Sequence, residues 1–230
     1  IFMDWIYEDF PRYTTNEDEY KKIEEEYFSK KENQDRFIVG HFIAILMYCY
    51  ARPNELKQLR WKSVEFDSLD LPEYKTLHKG RRIATITIEA ATSKVRKKRQ
   101  VATECAYLFG RILNFPSKFT APDDYVFSDQ TTGKIIDRKI FYKLWHNFMK
   151  FCNLQNENYS FYSLRAYGIT QALRNGATFE QMTVTAGTSY EQLRIHYDKR
   201  IGGEFREVSR RTKHRFDKRS SLENEIGQED

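Results

Sequence analysis

The stretch Arg52-Pro53-Asn54-Glu55-Leu56-Lys57-Gln58-Leu59-Arg60-Trp61 joins two segments of different periodicity, and the fold class follows from that junction. Pro53 suits the first turn of a helix, and Leu56, Leu59 and Arg60 continue a helical period. Upstream, Gln34 to about Tyr50 is apolar nearly all round, which predicts a helix central to the core. Its longest apolar run, Phe37 to Ala51, contains His41 and is too short to span a bilayer. Downstream, Trp61–Phe66 reads as the start of a strand. Arg82–Glu89 sets Ile83, Thr85, Thr87 and Glu89 against Ala84, Ile86 and Ile88 at period 2. Lys98–Ala102 is the expected partner strand, and the basic run that begins at Lys94 forms the turn between them.

Outward from this junction the chain is helical. Thr15 or Asn16 can cap a helix that runs to about Ser29, with Glu17, Asp18 and Glu19 at its positive end. Further helices are expected at Thr103–Leu113, Asp137–Cys152, Ser160–Arg174, Thr178–Ala186 and Ser189–Lys199, with stops or breaks at Gly110, Gly176 and Gly187. The class is α+β, mainly α-helical, with a small antiparallel β-sheet inserted among helices. Residues 1–14 are expected to be a linker remnant, 15–202 the main domain, and 203–230 a basic amphipathic helix with an acidic end. The chain starts at Ile1 without Met or a signal peptide, and is expected to be an excised fragment.

With 230 residues, 40% of them apolar and 31% charged, the chain is long enough for a real core and has a globular composition. Cys49, Cys105 and Cys152 are too scattered for a disulfide framework or a cysteine zinc site, and they suggest a reducing compartment. The net charge of +5 hides an asymmetry: residues 1–35 carry five bases against eleven acids, whereas 51–219 carry 32 against 18. A basic block between acidic ends favours a polyanionic partner.

No nucleotide-binding loop, dinucleotide fingerprint, zinc-protease helix or serine-hydrolase elbow is present. The histidines (His41, His78, His146, His196 and His214) have no ligand spacing, and no metal site is expected. What remains is a combination of basic and hydroxyl residues. Arg52 ends the buried helix, and Lys94 heads the hairpin turn. Tyr162-Ser163-Leu164-Arg165 opens a helix with Tyr162 and Arg165 on one face, and Ala186-Gly187-Thr188 breaks another, nine residues before Tyr197. Taken singly, an arginine at a helix end is usually solvated and one of fifteen tyrosines usually packs.

Together these segments resemble the tyrosine recombinase (phage integrase) family, catalytic domain, over about Thr15 to Lys199. Arg52-Pro53-Asn54-Glu55-Leu56 with Leu59 and Trp61 resembles its R-x-x-E-L-x-x-L-x-W box. Thr92-Ser93-Lys94, followed by Val101, is similar to its β-hairpin lysine, and Tyr162-Ser163-Leu164-Arg165 to its H-x-L-R box. Ala186-Gly187-Thr188 and Tyr197 resemble its L-G-H box and nucleophile.

The resemblance implies a site-specific DNA strand transferase that needs no metal, ATP or other cofactor. Tyr197 would form a 3′-phosphotyrosyl intermediate, Arg52 and Arg165 would clamp the phosphate, and Lys94 would protonate the leaving 5′-oxygen. Tyr162 and Thr188 would hydrogen-bond the phosphate or orient Tyr197, and Glu55 would position Arg52 from behind. Lys97 and Lys98 compete with Lys94 for the general-acid role, and only the spacing to Val101 favours Lys94. Arg96, Lys97, Lys98 and Arg99 are expected on DNA phosphates.

Two positions depart from the pattern, Tyr162 where most members have His and Thr188 where they have His or Trp; a phenol, with a pKa of about 10, is a poor base at neutral pH. The implied partners are double-stranded DNA and copies of the chain assembled on it as a tetramer, with no membrane and no small-molecule substrate. An upstream DNA-clamping domain is expected, and the tail of 203–230 is a candidate inter-subunit contact. The expected location is cytoplasmic, on a bacterial nucleoid or from a phage or mobile element. Two alternatives are a DNA-binding module of the same fold with catalysis weakened or lost, and a type IB topoisomerase-like DNA-relaxing enzyme.

Overall fold

The computed structural model describes residues 2–10, 16–66, 83–93, 96–114 and 119–198. The expectations at Ile1, Thr15, Arg82, Lys94, Lys199 and 203–230 lie outside the described residues.

Asn16 caps α2 (Glu17–Ser29): its Oδ1 accepts from the amides of Asp18 at 2.9 Å and Glu19 at 3.3 Å. Helix α3 (Lys31–Cys49) begins three residues before the expected Gln34. Side-chain amides explain the earlier start, because Asn33 Nδ2 donates to Tyr27 O at 2.8 Å and Gln34 Nε2 to Phe28 O at 2.6 Å. They satisfy carbonyls that the end of α2 leaves open and fold the two helices into a tight corner.

Apolar on nearly every side, α3 is surrounded. It packs against α1 (Phe2–Ile6), α2, α5 (Ala106–Asn114), α6 (Arg138–Phe151) and α7 (Phe161–Arg174). Phe42 is fully buried and meets Phe127, Phe141 and Phe161 edge-on. Residues 2–10, within the segment expected to be a linker, contribute to this core: Trp5, Ile6 and Phe10 are buried, and Tyr27 Oη donates to Ile6 O at 3.1 Å. Helices α3 and α7 approach closely at Gly168, where a Cβ would stand 2.2 Å from Met47 O.

The box of residues 52–61 forms α4 (Pro53–Lys57) with Pro53 at its first position. A 3₁₀ turn, Trp61–Ser63, replaces the expected first half of a strand. That turn is pinned by the loop opposite, since Trp61 N donates to Asp124 O at 3.1 Å and Lys62 N to Pro122 O at 2.8 Å. Three strands follow, β1 (Val64–Phe66), β2 (Ala84–Ile88) and β3 (Arg99–Thr103), in an antiparallel sheet of order β1-β2-β3. Val64 and Val101 both pair with Ile86, and Ile88 pairs with Arg99. The period-2 pattern then sorts the faces: Arg99, Val101 and Thr103 point inward, whereas Gln100 and Ala102 are exposed. Thr103 is therefore strand, not the start of a helix, and α5 begins at Ala106.

The expected starts at Asp137, Ser160, Thr178 and Ser189 are N-cap residues, so α6, α7, α8 (Phe179–Ala186) and α9 (Tyr190–Leu193) each begin one residue later. Beyond α9 the backbone widens into a π turn, Arg194–Asp198, in place of the single α-helix expected from Ser189. A smaller core of Ile169, Leu173, Met182, Ala186 and Leu193 holds α7, α8 and α9 together.

Candidate active site

The end of α8 organises the site. Gly187 ends the helix at φ +60°, a left-handed conformation that glycine adopts without a Cβ penalty. Thr188 N then donates to Thr183 O and Gly187 N to Val184 O, both at 3.3 Å. The next three carbonyls accept from three arginines of three other elements. Thr185 O takes Arg99 Nε at 3.2 Å, Ala186 O takes Arg165 Nη2 at 2.8 Å, and Gly187 O takes Arg52 Nη2 at 2.8 Å. Guanidinium groups belong at this negative end of a helix, and they satisfy carbonyls that lack intrahelical partners.

Each arginine is held from a second side. Arg165, largely buried on the first turns of α7, also donates through Nη1 to Tyr50 O. Tyr50 turns its carbonyl to that position by ending α3 in the left-handed region at φ 52°, uncommon for a residue with a side chain. Arg52 precedes α4, and Glu55, one turn on, binds it twice. Arg52 N donates to Glu55 Oε2 at 2.8 Å and Arg52 Nη1 to Glu55 Oε1 at 2.9 Å.

Glu55 is buried beneath both groups, and Arg99 reaches it from β3 with Nη2 at 2.6 Å from Oε2 and Nη1 at 3.3 Å from Oε1. Burial alone would push the Glu55 carboxyl up. The hydrogen bonds and charges of Arg99 and Arg52 outweigh it and hold the carboxyl below the usual carboxylate range.

Arg99 thus departs from the expectation that grouped it with the DNA-facing basic run. Its place in the strand alternation, in phase with Val101, turns it inward, and its guanidinium is committed to Glu55 and Thr185 O. Arg96, Lys97 and Lys98 remain exposed on the turn; Arg96 takes φ 51°, and Lys98 Nζ stands 3.6 Å from Glu89 Oε1. The parity with Val101 was the signal in the sequence that could have separated Arg99 from its neighbours.

Tyr162 is 55% exposed at the start of α7, on a groove of about 460 Å³ that it shares with Asn54, Lys57, Arg138 and Tyr142. Lys57 Nζ lies 4.1 Å from the Phe141 ring centre, and burial there, with Arg138 nearby, pushes its pKa down. Nothing in the local sequence singles out Lys57, because its rings come from α6 and α7. Thr188 is half-buried directly after Gly187, and Tyr197 is placed by its backbone within the π turn. Lys94 lies outside the described residues, one position after Ser93, which is buried.

The arrangement therefore unites Arg52, Glu55, Arg99 and Arg165 around one helix end. Three guanidinium groups against one carboxylate leave a net charge of +2, suited to an anion with several oxygens. Among the described residues, no cluster of three or more His, Cys, Asp or Glu could hold a metal ion, and no helix is long and apolar enough to cross a membrane.

A mainly helical body with a small three-stranded antiparallel sheet matches the catalytic fold of the tyrosine recombinases, and this chain has that fold. Similar solved structures include the XerH site-specific recombinase bound to its difH substrate in a pre-cleavage complex. It is 21% identical with a TM-score of 0.54, over 70% of this chain and 42% of that one. XerH bound to a palindromic difH substrate in a post-cleavage complex is 20% identical with a TM-score of 0.54, over 79% and 50%. The XerA recombinase is 20% identical with a TM-score of 0.50, over 81% and 60%. The chain thus spans about half the length of the solved chains it resembles. No protein-family model matches the sequence, and no curated protein matches it.

Proposed function

We propose that the chain is the catalytic part of a site-specific DNA recombinase that cleaves and rejoins double-stranded DNA through a covalent tyrosine intermediate. The observation that carries this reading is the pair Arg52 and Arg165, fixed on adjacent carbonyls of α8 just ahead of the segment that bears Tyr197.

The Tyr197 phenol gives up its proton to water, and its oxygen attacks a backbone phosphorus. The bond from phosphorus to the 5′-oxygen breaks, and that oxygen leaves as a hydroxyl with a proton from Lys94. Charge builds on the non-bridging oxygens, where Arg52 and Arg165 stabilise it without having to reorganise. The 3′-phosphotyrosine keeps the energy of the broken bond, so a second strand's 5′-hydroxyl can reverse the step without ATP. Tyr162 and Thr188 hydrogen-bond the phosphate, and Arg96, Lys97 and Lys98 follow the DNA backbone. Exchange between two duplexes requires copies of the chain assembled on DNA, as a tetramer on the recombining sites.

Catalysis weakened to a DNA-binding role is a second reading, and one observation favours it. Tyr162 is a phenol, largely exposed, where a base or strong donor would serve. Incubation with nicked duplexes of randomised sequence, in chelator, separates the two. An SDS-stable protein–DNA adduct formed by the wild type and absent from Tyr197→Phe supports the recombinase. Salt-sensitive binding with no adduct supports the binding module.

A further inference from the structure

Glu55 is bonded to two arginines, and they differ in what they can reach. Arg52 is 14% exposed, whereas the Arg99 side chain is 6% exposed and closed over by Gly187, whose Cβ position lies 2.9 Å from Arg99 Nε. We propose that Arg99 is a positioning residue that holds Arg52 and the end of α8 in register for strand transfer, a role that rests on the recombinase reading above.

The bonds form a closed ring. Arg52 holds Glu55 and Gly187 O, Glu55 holds Arg99, and Arg99 returns to α8 at Thr185 O. Arg99 also lies 3.4 Å from the hydroxyl of Ser93, the residue before Lys94, so one guanidinium links the hairpin, the Arg52 turn and the α8 terminus. A planar fork is needed for this, because two η nitrogens must serve a carboxylate while Nε serves a carbonyl. A lysine has one nitrogen and cannot span them.

Without Arg99 the Glu55 carboxylate loses its bonds at 2.6 and 3.3 Å and keeps only those from Arg52, through its backbone N and Nη1. Glu55 would then draw the η nitrogens of Arg52 inward and away from Gly187 O, turning the clamp from the phosphate while leaving the DNA-facing surface intact.

The test compares wild type with Arg99→Lys, which keeps the buried charge, and with the pair Arg99→Gln and Glu55→Gln, which removes both charges together should the lysine variant fail to fold. Thermal unfolding establishes that each variant is folded. Side-chain ¹⁵N NMR then reads the Arg52 η protons, binding to a random-sequence duplex is followed against salt, and adduct formation is timed on nicked DNA. Arg99→Lys is expected to keep affinity within about twofold, shift the Arg52 η-proton signals as they leave Gly187 O for Glu55, and slow adduct formation by about tenfold or more.

Unchanged Arg52 signals together with an unchanged adduct rate overturn the proposal. So does a salt slope that falls by about one in the paired variant, the mark of a phosphate left without its cation. Should the wild type form no adduct through Tyr197, the recombinase reading fails by itself, and the Arg52 signal still decides whether Arg99 holds that side chain.

Discussion

Arg52 and Arg165 donate to neighbouring carbonyls of one helix end, Gly187 O and Ala186 O, each at 2.8 Å. The two residues are 113 positions apart and come from the start of α4 and the first turns of α7, yet a single cap fixes both guanidinium groups. Their relative position is set by the fold itself, so on the recombinase reading little reorganisation is required when charge develops.

Loss of either arginine should therefore act on chemistry more than on binding. Arg52→Lys and Arg165→Lys are each expected to slow adduct formation by about 10²-fold or more, the scale for removal of one oxyanion donor. Affinity for duplex DNA, measured by anisotropy, should change far less. Equal losses in both quantities would place these residues in ordinary phosphate contact.

Gly187→Ala should damage fold and site together. A residue with a Cβ pays about 1–2 kcal/mol at this left-handed φ, and the added methyl would also press on Arg99 at 2.9 Å. A lower melting temperature accompanied by slower adduct formation is expected. Gly176→Ala is the comparison: it also has positive φ, 98°, but a Cβ there meets nothing within 4 Å, so it should lower the melting temperature and leave the chemistry alone.

Acid should unfold the protein through two buried groups. His41 Nδ1 is bonded to Phe37 O at 2.8 Å deep in α3, and burial lowers its pKa from 6.5 to about 3. The unfolded chain takes up that proton first, so the stability this neutral ring contributes is complete above about pH 6.5. It is then lost as pH falls, at up to about 1.4 kcal/mol per unit. Glu55, held below its ordinary value, has the same sign: its contribution is present above the usual carboxylate range and is lost as pH falls through the folded pKa. Urea unfolding of His41→Leu between pH 4 and 8 should show a shallower decline than wild type below pH 6.5. Parallel curves would remove His41 from the account.

The exposed turn should govern salt dependence. Replacing Arg96, Lys97 and Lys98 with Gln is expected to weaken binding to all duplex sequences alike. The slope of log affinity against log salt should fall by about 0.9 for each phosphate that the turn no longer neutralises. An unchanged slope would place the DNA elsewhere on the surface.

Much of this architecture was legible because local chemistry and tertiary packing agree. The polar caps Asp137, Thr178 and Ser189 start their helices. The alternation of residues 84–88 predicts which face of the sheet is buried, with Ala84, Ile86 and Ile88 inside. Differences arise where distant groups decide. Trp61–Ser63 coils because residues 122 and 124 capture its amides, and α3 starts early because Asn33 and Gln34 close a corner with the preceding helix. Residues 2–10 pack on α3 through Trp5 and Ile6, a tertiary contact that their local sequence does not announce.

Within the site, charge type was readable and its direction was not. Arg52, Glu55 and Arg165 stood out by spacing, but a run of five basic residues within 94–99 gave Arg99 the same appearance as its exposed neighbours. Only the strand phase, fixed by pairing Ile88 with Arg99, separates the one that turns inward.

The most direct measurement is the identity of the DNA–protein bond. The adduct formed on nicked duplex would be trimmed with nuclease, digested with protease and sequenced by tandem mass spectrometry. The account predicts a nucleotide joined through its 3′-phosphate to Tyr197, with a free 5′-hydroxyl on the released strand. A bond to another residue, a 5′-linkage, or intact DNA bound without any covalent product would contradict it.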